Sequence, residues 1–226
     1  MSANKMRPFI FGSAFAALLV WQAPAEAQVP GRCETPASQR ANEIGCYVSA
    51  TVKIGELPAS DYYWHLYTYP DRQAADAAQV AQAASEMRLP VIEAHGKVWL
   101  YAIAAKSWRP QGGTLMATLG PLQVHPGVAY TAHFIEAVFP PGMQTNAHFH
   151  HGSEVTYVVA GAECIETPAG KFVNKTGEGL VAPENTPMQL RNPGPEIRRA
   201  VALILHDAAH NWATPTPDWT PKGLCT

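Results

Sequence analysis

The sequence predicts a mainly β fold, a β-barrel preceded by a small α+β unit. Three observations lead there. From Thr114 onward the chain offers a series of short strand candidates with no helix signal between them. Pro, Gly or Asn separates them, as expected where a chain turns between paired strands. Before Thr114 the order is instead strand, strand, helix, strand, which suits a small mixed unit. With 20 Pro and 17 Gly in 226 residues, turns are plentiful, and 47% hydrophobic residues can fill a core.

Residues 1–27 read as a signal peptide. Lys5 and Arg7 form a basic start, Phe9 to Trp21 a short apolar run, and Ala25-Glu26-Ala27 a cleavage signal. The run is too short to span a membrane comfortably, so no stable span is expected after cleavage. An uncleaved anchor is the alternative. Export would place the protein in the periplasm or outside the cell, where an even number of cysteines favours disulfides. Cys33, Cys46, Cys164 and Cys225 allow three pairings, and sequence does not choose among them. Proximity suggests Cys33 with Cys46, leaving Cys225 to tie the tail through Cys164. None has the spacing of a zinc-binding pair.

Residues 28–45 are polar and irregular. Tyr47–Ile54 and Tyr62–Tyr69 are rich in β-branched and aromatic residues and predict strands. Asp71–Met87 is Ala-rich without Gly or Pro, predicting a helix that Pro90 closes. Lys97–Ala105 predicts the next strand, completing a unit over 46–106. Residues 107–113 read as a linker, 114–208 as the barrel and 209–226 as a tail. The barrel strands are expected at Thr114–Leu119, Val128–Phe139, Glu154–Ala160, Lys171–Val173, Gly179–Val181, Met188–Arg191 and Arg198–His206.

Charged residues are only 15% and the formal net charge is −2. No basic stripe is present to collect phosphates, which argues against a nucleic-acid partner. There is no G-x-S-x-G, phosphate-binding loop or dinucleotide fingerprint, so those chemistries have no support.

The chemistry concentrates between Gly142 and Gly161. His148 and His150 are two apart, so a strand would present both imidazoles on one face. Glu154 follows a short turn and is expected to return on the neighbouring antiparallel strand. Two imidazoles and a carboxylate suit a divalent first-row metal. Gly142 and Gly161 are expected at bends that a side chain would obstruct.

This segment resembles the first conserved motif of the cupin superfamily: Gly142, five residues, His148-x-His150, three residues, Glu154, six residues, Gly161. The resemblance covers about residues 114–208 and implies a cupin jelly-roll barrel with a small-molecule site inside it. It implies a metal among Fe, Mn, Zn, Ni or Cu on His148, His150 and Glu154. Glu154 is also the candidate catalytic base. Dioxygenase, isomerase and lyase activities all occur in the family, and a homodimer through strand edges is common. A second family motif is matched at Gly177, Pro183 and Asn192. Asn185 replaces its Gly, and Met188 replaces the His that usually supplies a third imidazole. Met188 is either a soft ligand or an apolar filler.

Three readings follow. The three residues bind metal alone; or His133, His206 or the adjacent His151 adds a ligand; or the barrel is a metal-free, non-catalytic binding or structural module. Met188, Leu190 and Phe134 are expected to wall the lumen, and Tyr157 and Gln189 to face outward. His65 and His95 are expected to be packed or surface residues. Tyr62, Tyr63, Trp64, Tyr67 and Tyr69 are expected to pack, with a sugar platform as the alternative.

Overall fold

A computed structural model describes Met1, Cys33 and residues 35–81 and 90–226. The expected signal peptide and the end of the expected helix lie outside these residues. Fifteen regular elements follow a short 3-10 turn at Ala37–Gln39: β1 (Gly45–Glu56), β2 (Tyr62–Tyr69), α1 (Arg72–Ala81), β3 (Val91–Ala94), β4 (Lys97–Ala104), β5 (Thr114–Leu122), β6 (Ala129–Phe139), β7 (His148–Phe149), β8 (Gly152–Ala160), β9 (Ala162–Thr167), β10 (Gly170–Lys175), β11 (Gly179–Ala182), β12 (Gln189–Arg191), β13 (Arg198–Asp207) and β14 (Thr214–Pro215). Asp71 caps α1, its Oδ1 accepting from the Ala74 N–H at 2.8 Å.

Strand pairing divides the elements into a five-stranded sheet β1-β6-β13-β8-β11, a four-stranded sheet β3-β4-β2-β5, a three-stranded sheet β10-β9-β12 and the pair β14-β7. Every pairing of these strands is antiparallel. Two partnerships cross the boundary expected at 107–113. β1 pairs with β6 of the barrel, and β5 pairs with β2 of the N-terminal unit. Both strands lie at the edge of their sheets, and a period of two does not reveal which edge a strand will join.

The five-stranded sheet is buried on both faces. Its outer face, with Ala132, Phe134, Val155, Tyr157, Val201 and Leu203, packs against Trp64, Trp99 and Tyr101 of the four-stranded sheet. Its inner face, with Ile135, Ala137, Ala202 and Ile204, looks into the barrel. Double burial explains why Ala200 to Leu205 are all buried and read as one continuous apolar run. Fully burying an aromatic such as Trp64 or Phe134 contributes about 1.5–3 kcal/mol.

This layering corrects two expectations. Phe134 does not wall the lumen: its ring stacks on Tyr101 at 5.3 Å on the opposite face. Tyr157 does point away from the lumen, yet it is buried, edge-on to Trp99 at 6.2 Å. The aromatic cluster packs as expected, with Trp64, Tyr67 and Tyr69 buried. His65 is a packed residue, bonded through Nε2 to the Ala105 carbonyl at 3.0 Å. His95 occupies the β3–β4 turn at φ 52 and donates to the Ala200 carbonyl, docking that hairpin onto β13.

The disulfides are Cys33–Cys46 and Cys164–Cys225. β3 and β9 were not expected. β3 is only four residues long, and β9 carries Glu163 and Glu166 where a strand pattern would show apolar residues. Both acids are buried because tertiary partners satisfy them. Glu163 meets Thr156 and Arg198, and Glu166 accepts the Lys222 and Leu224 N–H groups of the tail.

Candidate metal centre in the barrel

His148 lies on β7 and His150 directly after it, while Glu154 lies on β8. β7 and β8 do not pair with each other. β7 pairs with β14 and bridges to Met188, whereas β8 pairs with β11 and β13. The chain therefore passes from one set of paired strands to another between His150 and Gly152, and the three side chains converge from both. Gly152 allows β8 to approach β13 closely: a Cβ there would sit 2.0 Å from the Leu205 carbonyl oxygen. Gly161 closes the segment at φ +77, where a Cβ would sit 2.8 Å from the Ile197 carbonyl oxygen.

The three residues offer ligand atoms that all lie within 4.8 Å of one another, and all three are buried. Their orientation is set from behind. His148 Nδ1 donates to the Asn146 carbonyl at 2.8 Å, and His150 Nδ1 to the Trp212 carbonyl. A ring nitrogen facing a carbonyl must carry the proton, which leaves each Nε2 as a bare lone pair. His150 Nε2 stands 3.2 Å from Glu154 Oε2, yet the contact lacks hydrogen-bond alignment, and both atoms are buried without a hydrogen-bond partner. Two carbonyl-anchored imidazoles with free Nε2 atoms, facing an unpartnered carboxylate oxygen, are the donor set a divalent transition metal takes. The residues fit such an ion.

Met188 is fully buried, but it packs with Ile165, Ala182 and Leu190. Its environment is that of an apolar filler. Asn185 adopts φ 56, the conformation the family places on Gly. Asn192 is buried, donating to the Phe139 and Glu196 carbonyls and accepting from the Gly194 N–H. His133 and His206 belong to the inner face by register, yet neither joins the cluster of three. His151 turns away and stacks on His210 at 4.0 Å.

Several residues of the site carried no sequence signal of their own. Arg198, Thr156 and Trp212 line the same cavity as His148, His150 and Glu154. Arg198 is buried, ion-paired with Glu163 and placed over Phe139 at 5.0 Å. Burial pushes its pKa down to about 10, against the attraction of Glu154, so it stays a cation at neutral pH. An arginine opening the apolar strand Arg198–Asp207 was the available hint. Burial alone would raise the Glu154 carboxyl, but His150, His148 and Arg198 outweigh it and hold the group below its usual range.

Burial also lowers the pKa of His65, His95, His133, His148 and His206, that of His133 to about 4. The unfolded chain would protonate these groups near 6.5, so between about 6.5 and 4 it binds more protons than the fold. Their contribution to stability is complete above about 6.5 and is lost as pH falls. The urea midpoint is expected to drop through this window, and His133→Gln should flatten its lower part. An unchanged profile in that variant would contradict the assignment.

Residues 135–204 match the family model described as Cupin domain. The barrel is a cupin domain. Similar solved structures include a DMSP lyase from Ruegeria pomeroyi, 16% identical over 39% of this chain and 45% of that one, with a TM-score of 0.35. A cupin-domain protein from Bordetella pertussis is 24% identical over 37% of this chain and 88% of that one, with a TM-score of 0.29. Salicylate 1,2-dioxygenase from Pseudoaminobacter salicylatoxidans is 18% identical over 32% of this chain and 19% of that one, with a TM-score of 0.30. The match to the lyase spans less than half of that protein. No curated protein matches the chain. Among the described residues, no helix is long and apolar enough to cross a membrane. The cupin domain thus presents a His148, His150 and Glu154 cluster that could hold a metal ion.

Proposed function

We propose that this is an exported, metal-dependent cupin enzyme acting on a small organic molecule inside the barrel. One observation carries the proposal: His148 and His150 are anchored through Nδ1, and the bare Nε2 of each is turned toward the buried Glu154 carboxylate. When bound, a divalent transition metal supplies Lewis-acid or oxygen-activating chemistry. The chain's own residues define what surrounds that chemistry. Ile135, Ala137, Leu190, Ala202 and Ile204 exclude water from the cavity. Glu154, held below the usual carboxylate range by its His150, His148 and Arg198 neighbours, is a metal ligand or, released from that role, accepts a proton through Oε2. Dioxygenase, isomerase and lyase reactions are the classes proposed. The two disulfides support export.

The cavity beside the ligands measures only about 50 Å³, well under the roughly 300 Å³ of ordinary ligand pockets. Trp212 forms part of its wall and belongs to the tail rather than to the barrel sheets. Substrate admission is therefore assigned to a displacement of Trp212.

Metal analysis after loading and desalting tests the reading. The wild-type protein is expected to retain an ion that His148→Ala loses, with affinity falling by at least about 100-fold. Less than a tenth of an equivalent in the wild type, after loading with each candidate metal, would sink it. The packing of Met188 in an apolar cluster favours a second reading, a metal-free binding barrel. That reading requires ligand-induced thermal stabilisation that EDTA leaves intact. A homodimer through strand edges is checked by light scattering, where a strict monomer would exclude it.

A further inference from the structure

Arg198 brings an incompletely used cation to the cavity. It opens β13 opposite Phe139 of β6 and lines the cavity together with His148, His150 and Glu154. Its side chain is only 2% exposed. Nη2 donates to Glu163 Oε2. Nε and Nη1 are buried and have no hydrogen-bond partner among the described residues. A guanidinium has several N–H groups and does not give up its charge, so the groups that Glu163 leaves over remain donors. Unpaired donors on a buried cation are costly until something accepts from them.

The surroundings restrict what that partner is. The Phe139 ring covers the guanidinium at 5.0 Å, and the N–H groups point outward in the guanidinium plane, so a partner comes in edge-on. Carboxylates are the acceptors that suit such donors. The charges around the cavity agree. Arg198 supplies one positive charge, and Glu154 and Glu163 supply one negative charge each. A divalent ion on His148, His150 and Glu154 turns this sum from one negative to one positive, and a single carboxylate then balances it. An apolar interior penalises any charge left over. The cavity of about 50 Å³ has room for a carboxylate group, because a water needs only roughly 10–15 Å³. Ile135, Ala137, Leu190, Ala202 and Ile204 give the rest of the wall an apolar surface.

We propose that Arg198 is the substrate-binding residue of the barrel and that the substrate is a small monocarboxylic acid. Its carboxylate accepts from the Arg198 N–H groups that Glu163 leaves free, and its apolar part lies along the aliphatic wall. This rests on the reading of the cavity as the substrate site of a metal-dependent cupin.

Calorimetric titration of the zinc-loaded wild-type protein compares propionate with propionamide and benzoate with benzamide, and zinc is counted in the same samples. Each amide keeps the shape of its acid and lacks the charge. At least one acid is expected to bind about 10-fold or more tightly than its amide, the worth of a hydrogen bond to a charged group. The double variant Arg198→Met with Glu163→Leu removes the donors without stranding a buried carboxylate, and the preference should disappear in it. An acid held by the ion alone would keep its preference in the double variant, and that result overturns the proposal. So does a wild type that prefers neither acid. Failure of the metal reading looks different, because the wild type then retains no zinc. The same titration on that metal-free protein decides for Arg198: a preference lost in the double variant supports its role, and no preference overturns it. If the double variant does not fold or does not hold zinc, a crystal structure of the wild type with the preferred acid decides. A carboxylate within hydrogen-bonding distance of Arg198 Nε or Nη1 supports the proposal, and a carboxylate anywhere else overturns it.

Discussion

Arg198→Met is expected to destabilise the protein by about 3–5 kcal/mol. Arg198 and Glu163 are both essentially inaccessible, and they pair across the barrel interior. Removing the cation leaves Glu163 as an uncompensated buried charge, with only the Thr156 hydroxyl, at 2.6 Å, still donating to it. The cost comes from that stranded charge rather than from the worth of the pair, because two ions moved out of water gain little net from each other. The double variant Arg198→Met with Glu163→Leu should therefore recover most of the loss. Urea denaturation of the single and double variants measures this. A double variant no more stable than Arg198→Met would refute the stranded-charge account. The substitution also reaches the candidate metal centre, since Arg198 helps hold the Glu154 carboxyl down. Its loss should let that carboxyl rise, and metal binding should weaken first at acidic pH.

Opening the Cys164–Cys225 disulfide is expected to cost about 4 kcal/mol, the loop-closure entropy of a long cross-linked segment. The bridge joins residues 61 apart and pins the end of the chain to β9. Reduction frees the unfolded chain and loosens the tail in the native state. The effect should reach the site, because the same tail supplies Trp212, whose carbonyl fixes His150 Nδ1. Between Trp212 and Cys225 the tail is held by β14 against β7 and by the Lys222 and Leu224 bonds to Glu166. Cys225→Ser should therefore lower both the unfolding free energy and the metal affinity, with the affinity falling by about 10-fold. Thermal unfolding and metal titration of the variant separate the two effects. Unchanged affinity would show that β14 and the Glu166 contacts hold Trp212 without the bridge.

The disulfides illustrate where sequence reasoning stops. Nearness along the chain favours Cys33–Cys46, but spacing carries no distance between Cys164 and Cys225 until β9 and the tail are placed in space.

The sequence by itself determined the mainly β character, most strand positions and the spacing of His148, His150 and Glu154, three side chains that converge in the fold. These are local properties: a period of two, turn residues between strands, and a histidine spacing that one short stretch of backbone expresses. Only the tertiary structure decided which strands share a sheet, that Phe134 faces the N-terminal unit, and that β1 and β5 cross the expected boundary. Only the tertiary structure placed Arg198 and Trp212 at the site and His133 beside His206. The reason is physical. Alternation tells which residues share a face, but it does not tell what lies opposite that face. Both the buried charge pair and the convergence of His148 and His150 on Glu154 are created by what lies opposite.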